Sequence, residues 1–232
     1  MNILQNYLEQ RHKDKGQEKN LEPGPVVTIS REFGCSGKYL ADKLAYRLKQ
    51  EGRGDSRKGK WQVISKEILE RSSKELELDP SQIEYVFKYE KKSAIDEILR
   101  SLSFKYYKSD RRIKNTIKKV IYSFGKNGNT IILGRGGSAI TRDIEKAVHI
   151  RLIAPLHWRT EVIKKRFQLT NNKKARDYIT DIDKKRADLR SEMAGGVIVD
   201  DTHYDIIFNA ANFTYNQMVQ IIVEVMEMRK MI

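Results

Sequence analysis

Apolar residues in this chain gather in short β-branched runs, separated by longer stretches where they recur every three or four positions. Val26, Val27 and Ile29 form the first run, bounded upstream by Pro23, Gly24 and Pro25, and predict a short buried strand with a sharp start. Leu40, Ala41, Leu44, Ala45 and Leu48 then fall on one stripe of a 3.6-residue helix. Residues 61–65 predict a second strand and 67–73 a short helix. Asp79 and Pro80 start another helix, with Asp79 at the cap and Pro80 in the first turn. From there to Lys126 the pattern is almost continuously helical, through Ile95, Ile98, Leu99 and Leu102 and then Ile113, Ile117, Val120 and Ile121. Gly125 and Gly128 end it. Residues 130–133 and 148–154 predict a third and a fourth strand, the latter stopped at Pro155. Helices over 156–169 and 172–193 follow, then a strand over 204–208 and an amphipathic helix over 214–228.

Strands alternating with helices imply an α/β fold: a five-stranded parallel sheet flanked by helices on both faces. Ligands in such sheets bind beyond the carboxyl ends of the strands. Residues 1–22 open with a candidate short helix through Ile3, Tyr7 and Leu8, are mostly polar after it, and are expected to be a loosely held extension to a domain spanning 23–232. The composition, 39% hydrophobic and 33% charged, describes a soluble protein with a modest core. No apolar run is long enough to cross a membrane, and the single cysteine, Cys35, allows no internal disulfide, so a cytoplasmic setting is expected. A net charge of +14 draws polyanions in general. The lysines mostly come in pairs on predicted helices, however, which reads as solvated surface and makes nucleic acid an unlikely partner.

Three places carry candidate chemistry. The first strand feeds a loop, Gly34-Cys35-Ser36-Gly37-Lys38-Tyr39, that opens into a helix. Backbone N–H groups and a positive helix end there suit an anion. The usual phosphate-loop spacing is met only in part: Gly37-Lys38 fits, Glu32 stands where the first glycine belongs, and Tyr39 replaces the magnesium-binding hydroxyl. An ordinary strand-to-helix turn remains the alternative. Arg135, among Gly134, Gly136 and Gly137 directly after the third strand, suits a phosphate or carboxylate, or else pairs with a neighbouring carboxylate. Arg176, Asp183, Arg186 and Arg190 share one helix face, and Arg159 and Arg166 lie seven apart on the helix before. These two helices carry more charge than core-facing apolar residues. They are expected to pack weakly and to close over a triphosphate as a lid, or to be a plain solvated face. Tyr106 and Tyr107, among Lys105, Lys108, Arg111 and Arg112, form a basic-aromatic patch that reads first as helical surface. His12, His149, His157 and His203 are scattered and suggest no metal cluster.

Taken together, Ile29-Ser30-Arg31-Glu32-Phe33-Gly34, Gly134-Arg135-Gly136-Gly137, Ile150 to Pro155, Asp183-Lys184-Lys185-Arg186 and Tyr204-Asp205 resemble the cytidylate kinase-like family of P-loop nucleoside monophosphate kinases. The resemblance implies a helical acceptor-binding insertion at about 66–126 and a lid at about 156–193. It implies that Gly37 and Lys38 cradle the ATP phosphates, within a segment running from Gly34 to Tyr39. Arg71, Arg135 and, through a looser alignment, Arg112 would hold the acceptor. Arg159 would be a lid arginine, Asp183 and Arg186 would reach the acceptor nucleotide, and Lys38, Arg159 and Arg186 would serve the transfer itself. ATP and Mg2+ are the implied cofactors, with Ser36 a candidate metal contact. The sequence departs from true cytidylate kinases at Gly136, where they carry an aspartate, and at Ile179, where they carry an arginine.

The leading expectation is therefore an ATP-dependent kinase acting on a nucleoside monophosphate, with CMP or dCMP as the suggested acceptor. Two alternatives stand beside it: a nucleotide-binding regulatory protein with little turnover, supported by the irregular loop, and a basic nucleic-acid-binding protein, supported by net charge and the tyrosine patch.

Overall fold

A computed structural model describes residues 23–56, 59–84, 86 and 110–232. The expected N-terminal extension, the helical stretch through Ile95 to Leu102 and the Tyr106-Tyr107 patch lie outside the described residues. β1 (Val26–Arg31), β2 (Gln62–Ile64), β3 (Thr130–Leu133), β4 (Ala147–Ile153) and β5 (Ile206–Asn209) form one sheet in the order β2-β3-β1-β4-β5. Every pairing is parallel, with β1 in the centre: Val27 stands level with Ile131 on one side and Val148 on the other. The helices are α1 (Gly37–Gln50), α2 (Glu67–Leu76), α3 (Asp110–Asn127), α4 (Gly137–Ile140), α5 (Leu156–Phe167), α6 (Asn172–Met193) and α7 (Tyr215–Met228).

Side chains alternate across the sheet and so build two cores. Val27, Ile29, Ile131, Leu133, Val148 and Ile150 face Leu40, Leu44 and Leu48 of α1 and Met218, Ile222 and Met226 of α7. Val26, Ile64, Ile132 and Ala147 face Ile68 and Leu76 of α2 and Ile113, Ile117 and Ile121 of α3. Thr214 caps α7 and exchanges side-chain and backbone bonds with Gln217, which fixes where that helix begins.

The observed elements follow the expected ones closely, with three differences. α2 runs to Leu76 rather than stopping at 73, because Ile68 and Leu76 both bury. After Asp79 the chain makes a 3-10 turn, Pro80–Gln82. The short helix α4 was not anticipated; it begins where Gly136, at φ 72°, turns the chain off β3.

The topology also locates a crevice. α1 leaves β1 toward one face of the sheet, where a Cβ at Gly37 would meet Leu133. α4 leaves β3 toward the other, where a Cβ at Gly137 would meet Ile132. Adjacent strands whose connections part in this way leave a gap at their carboxyl ends. Across that gap lies the α5–α6 hairpin.

Candidate functional site

The loop after β1 is held from several sides. Glu32 N–H donates to Leu152 O (2.9 Å), extending the ladder with β4 by one residue. The Glu32 carboxylate accepts from Ala154 N–H (3.0 Å) and lies 3.3 Å from Arg159 Nε. Phe33 N–H donates to Asp183 Oδ1 (2.7 Å), and Phe33 O accepts from Arg159 (3.3 Å). Arg159 also pairs with Asp183 and donates to Ala154 O (2.9 Å). Gly34 sits at φ 103°, and a Cβ there would come within 3.0 Å of the Arg159 Cβ, so the turn requires glycine. Cys35 and Gly37 N–H groups fold back onto Glu32 O and Cys35 O. Among the described residues no acceptor pairs with the backbone N–H of Gly34, Ser36, Lys38 or Tyr39. These amides, at the start of a 14-residue helix, suit an anion.

They open into a cleft of about 350 Å³ walled by Arg31, Phe33, Arg166 and Arg186 together with the loop itself. A second, much smaller cavity of about 20 Å³ adjoins it, lined by Ser30, Gly134, Arg135, Gly136 and Arg190 and again by Arg31 and Arg186. Arg186 stands over the Phe33 ring (5.3 Å) and donates to Arg31 O (3.1 Å), which sets it between the two. Arg135 holds a left-handed conformation, φ 59°, flanked by Gly134 at φ 70° and Gly136 at φ 72°.

The expected site residues thus separate into two groups. Gly34 to Tyr39, Arg135 and Arg186 are brought together at the crevice. Arg159, Asp183, Arg71 and Arg112 line neither cavity, and Lys38 borders the larger one with its ammonium already paired. Lys38 Nζ is paired with Asp42 (2.7 Å) one turn along α1, on an exposed face. Arg159, 7% exposed, is enclosed by its partners and does not reach into the cleft. Asp183 accepts from the loop backbone at Phe33 and pairs with Arg159. Arg71 lies on α2, within 3.4 Å of Glu75 and over the Phe124 ring. Arg112 borders a separate open groove on α3 with Asn115 and Lys119.

Two cleft arginines were missed as site residues. Arg166, seven after Arg159, donates to Ser36 Oγ (3.0 Å) and faces the loop. Arg31 ends a buried strand at the ligand edge, the same signal that picked out Arg135. On α6 the packing side is Ala175, Ile179, Leu189 and Met193, while Arg176 is exposed. Nor is the hairpin loosely attached: Ile163, Ala175 and Ile179 form a small core with Phe33 and Leu169, and Phe33 packs against Phe167 and Tyr178.

Cys35 is buried, and desolvation, aided by the Glu32 charge, pushes its thiol up to about 12, so it stays protonated and is no nucleophile. Among the described residues no group of three His, Cys, Asp or Glu could hold a metal ion. Tyr39 packs edge-on against Tyr215 (4.9 Å), Ser36 Oγ is engaged by Arg166, and Asp42 by Lys38. The loop therefore fits phosphate oxygens, but its side chains do not fit a protein-held Mg2+.

Sheet order, loop and adjoining cavities define a P-loop kinase-like α/β protein. The chain belongs to the cytidylate kinase-like family, whose model matches residues 26–212. The solved structure of an uncharacterized protein from Eubacterium ventriosum is similar over 88% of this chain and 98% of its own, at 18% identity and a TM-score of 0.59. Shikimate kinase from Bacteroides thetaiotaomicron matches over the same shares, 88% and 98%, at 12% identity and a TM-score of 0.49. Comparison with curated proteins finds no match. Among the described residues no helix is long and apolar enough to cross a membrane.

Proposed function

We propose that the protein transfers the γ-phosphoryl group of ATP to the phosphate of a nucleoside monophosphate, with CMP or dCMP the first acceptors to try. Family membership supports a nucleotide kinase-type function in general. The observation that carries the finer reading is the pair of adjoining cavities, one bordered by open loop amides and both lined by Arg31 and Arg186. A donor phosphate chain would lie on the amides of Gly34, Ser36, Lys38 and Tyr39, steadied by Arg166. The acceptor phosphate would enter beside Arg135. The acceptor oxygen forms the new P–O bond as the bond to the β-phosphate oxygen breaks, and ADP leaves with that electron pair. An acceptor phosphate entering as the dianion has no proton to lose. The chain's part is to position two anions and to offset charge on the oxygens between them, which is most of what phosphoryl transfer asks of a protein. Mg2+ belongs to this reading as the ion that accompanies ATP, with no protein ligand assigned.

In the same reading, 66–126 is an acceptor-side insertion and 156–193 a wall over the donor. The setting is cytoplasmic, and nucleotides rather than nucleic acid or membrane are the partners. An ADP-release assay across the common monophosphates tests it: turnover with one or two acceptors is expected, and ATP binding without turnover on any would sink it. That outcome is the second reading, a nucleotide-binding protein with little turnover. Its support is that Lys38 and Ser36, the side chains nearest the usual catalytic pattern, are held by Asp42 and Arg166.

A further inference from the structure

A phosphate loop of the usual spacing supplies one lysine to the transferred phosphate, yet here the loop's only lysine, at the rim of the cleft, is already paired with a carboxylate. Lys38 Nζ lies 2.7 and 2.8 Å from the two oxygens of Asp42, and the lysine side chain is 67% exposed. Arg31 follows a different course. Its stem crosses Gly37, where a Cβ would stand 3.3 Å from Arg31 Cδ and 3.5 Å from Cγ. Its guanidinium then lies against Gly134, where a Cβ would fall 2.0 Å from Nη1. The side chain thus runs from the end of β1, past the first residue of α1, to the turn after β3. It lines both cavities. Its own carbonyl is fixed by Arg186 (3.1 Å), so its base does not drift.

We propose that Arg31, and not Lys38, is the cationic side chain that meets the phosphoryl group in transit, its guanidinium standing at the junction of the two cavities. This rests on the phosphoryl-transfer reading above and adds to it the residue that touches the moving group. A planar fork held at a junction can bond one oxygen of each phosphate at once, which a point-charge ammonium cannot do as well. Gly37 and Gly134 gain a shared purpose in this arrangement: each leaves the space through which Arg31 passes. Gly134 also needs its left-handed backbone, φ 70°, so two constraints meet at that position.

The test compares Arg31→Met, Arg31→Lys, Lys38→Met and Gly134→Ala, using inorganic tripolyphosphate as the binding probe and ADP release as the activity readout. Arg31→Met is expected to weaken tripolyphosphate binding tenfold or more and to cut turnover by a larger factor, and Lys38→Met to cost clearly less in each. Gly134→Ala, which places a methyl group on the guanidinium, should fall with Arg31→Met. If Arg31→Met does not fold, Arg31→Lys decides, with intermediate losses expected and wild-type behaviour overturning the role of the guanidinium. Loss on Lys38→Met with retention on Arg31→Met overturns the proposal. Failure of the wild-type protein to bind tripolyphosphate at all would instead sink the phosphoryl-transfer reading on which it stands.

Discussion

The α5–α6 hairpin and the α2–α3 pair are both basic, both helical, and both carry arginines that the family resemblance assigns to phosphate. Only the hairpin brings one of them, Arg186, to the crevice. Ile163, Ala175 and Ile179 form a small core of its own, Leu189 and Met193 join the core of α2 and α3, and the hairpin gains its hold on the loop through polar partners: Arg159 with Glu32, and Asp183 with the Phe33 amide. Those contacts fix the hairpin across the carboxyl ends of β1 and β4, and Arg166 and Arg186 then face inward. α2 and α3 do the reverse. Ile68, Leu76, Ile113, Ile117 and Ile121 bury against the sheet face, which leaves Arg71 and Arg112 pointing elsewhere. An arginine's use depends on what anchors its helix, and anchoring by apolar burial alone sends charge outward.

The strongest way to break this contrast is Asp183→Ala. It leaves Arg159 buried with fewer partners and Phe33 N–H without an acceptor, so a cost of about 3 kcal/mol is expected. Denaturant unfolding measures it, and a change below about 1 kcal/mol would mean that the network is incidental. Asp183→Asn, which keeps an oxygen for Phe33, should lose less.

Cys35 reports on the same attachment. With its thiol pushed up to about 12 from 9.0, the thiolate fraction at neutral pH falls by roughly a thousandfold, and alkylation by iodoacetamide should be far slower than for a free thiol. Asp183→Ala should speed it by loosening the hairpin. Fast alkylation of the unmodified protein would show that the hairpin opens by itself. Hydrogen exchange reads this too: amides of 156–193 should be protected without nucleotide to a degree comparable with α7, against the weak packing that their composition suggested.

Next in size, Arg186→Ala should weaken ATP binding about tenfold, on the order of 1.4 kcal/mol, whereas Arg71→Ala should change it less than twofold. Equal losses would erase the distinction between the two regions.

Acid should act on both alike. His149 on β4 is buried, bonded through Nδ1 to Thr28 Oγ1 (2.8 Å), and desolvation lowers its pKa from 6.5, reinforced by Arg142 and Arg229 against the opposing Asp205 charge. Below about pH 6.5 the unfolded chain takes up the proton more readily than the folded one, so stability falls as pH drops through that value. In His149→Gln this slope should shrink, with hairpin and α2–α3 amides affected equally. An unaltered slope would place the acid sensitivity in other groups.

Much of this was legible in the chain. Val26, Val27 and Ile29 between Pro25 and the loop can only be a buried strand, and Asn172 to Met193 is bounded by its own Asn171 cap and by Gly195-Gly196. Alternation of such elements makes the sheet parallel, because each helix must return the chain to the same edge. The expectation that Gly34 to Tyr39 and Arg135 would meet at one edge followed from that alone. What periodicity could not decide is which charged side chain of a related set turns inward. Arg159 and Arg166 are equivalent by spacing. Arg159, however, starts its helix beside Ala154 O and Glu32 and is absorbed as a brace, while Arg166, two turns on, clears the loop and faces Ser36. Lys38 fits the loop pattern by type, but Asp42 lies one turn along α1 and pairs with it at the rim of the cleft. Arg31 ends a buried strand at the ligand edge, but its path is set by two glycines that are remote from each other in sequence, Gly37 and Gly134. Local sequence fixes backbone elements because their hydrogen bonds and apolar stripes are local. The direction of a long cation is set by the nearest carboxylate and the nearest open space, and both come from parts of the chain that only folding brings together.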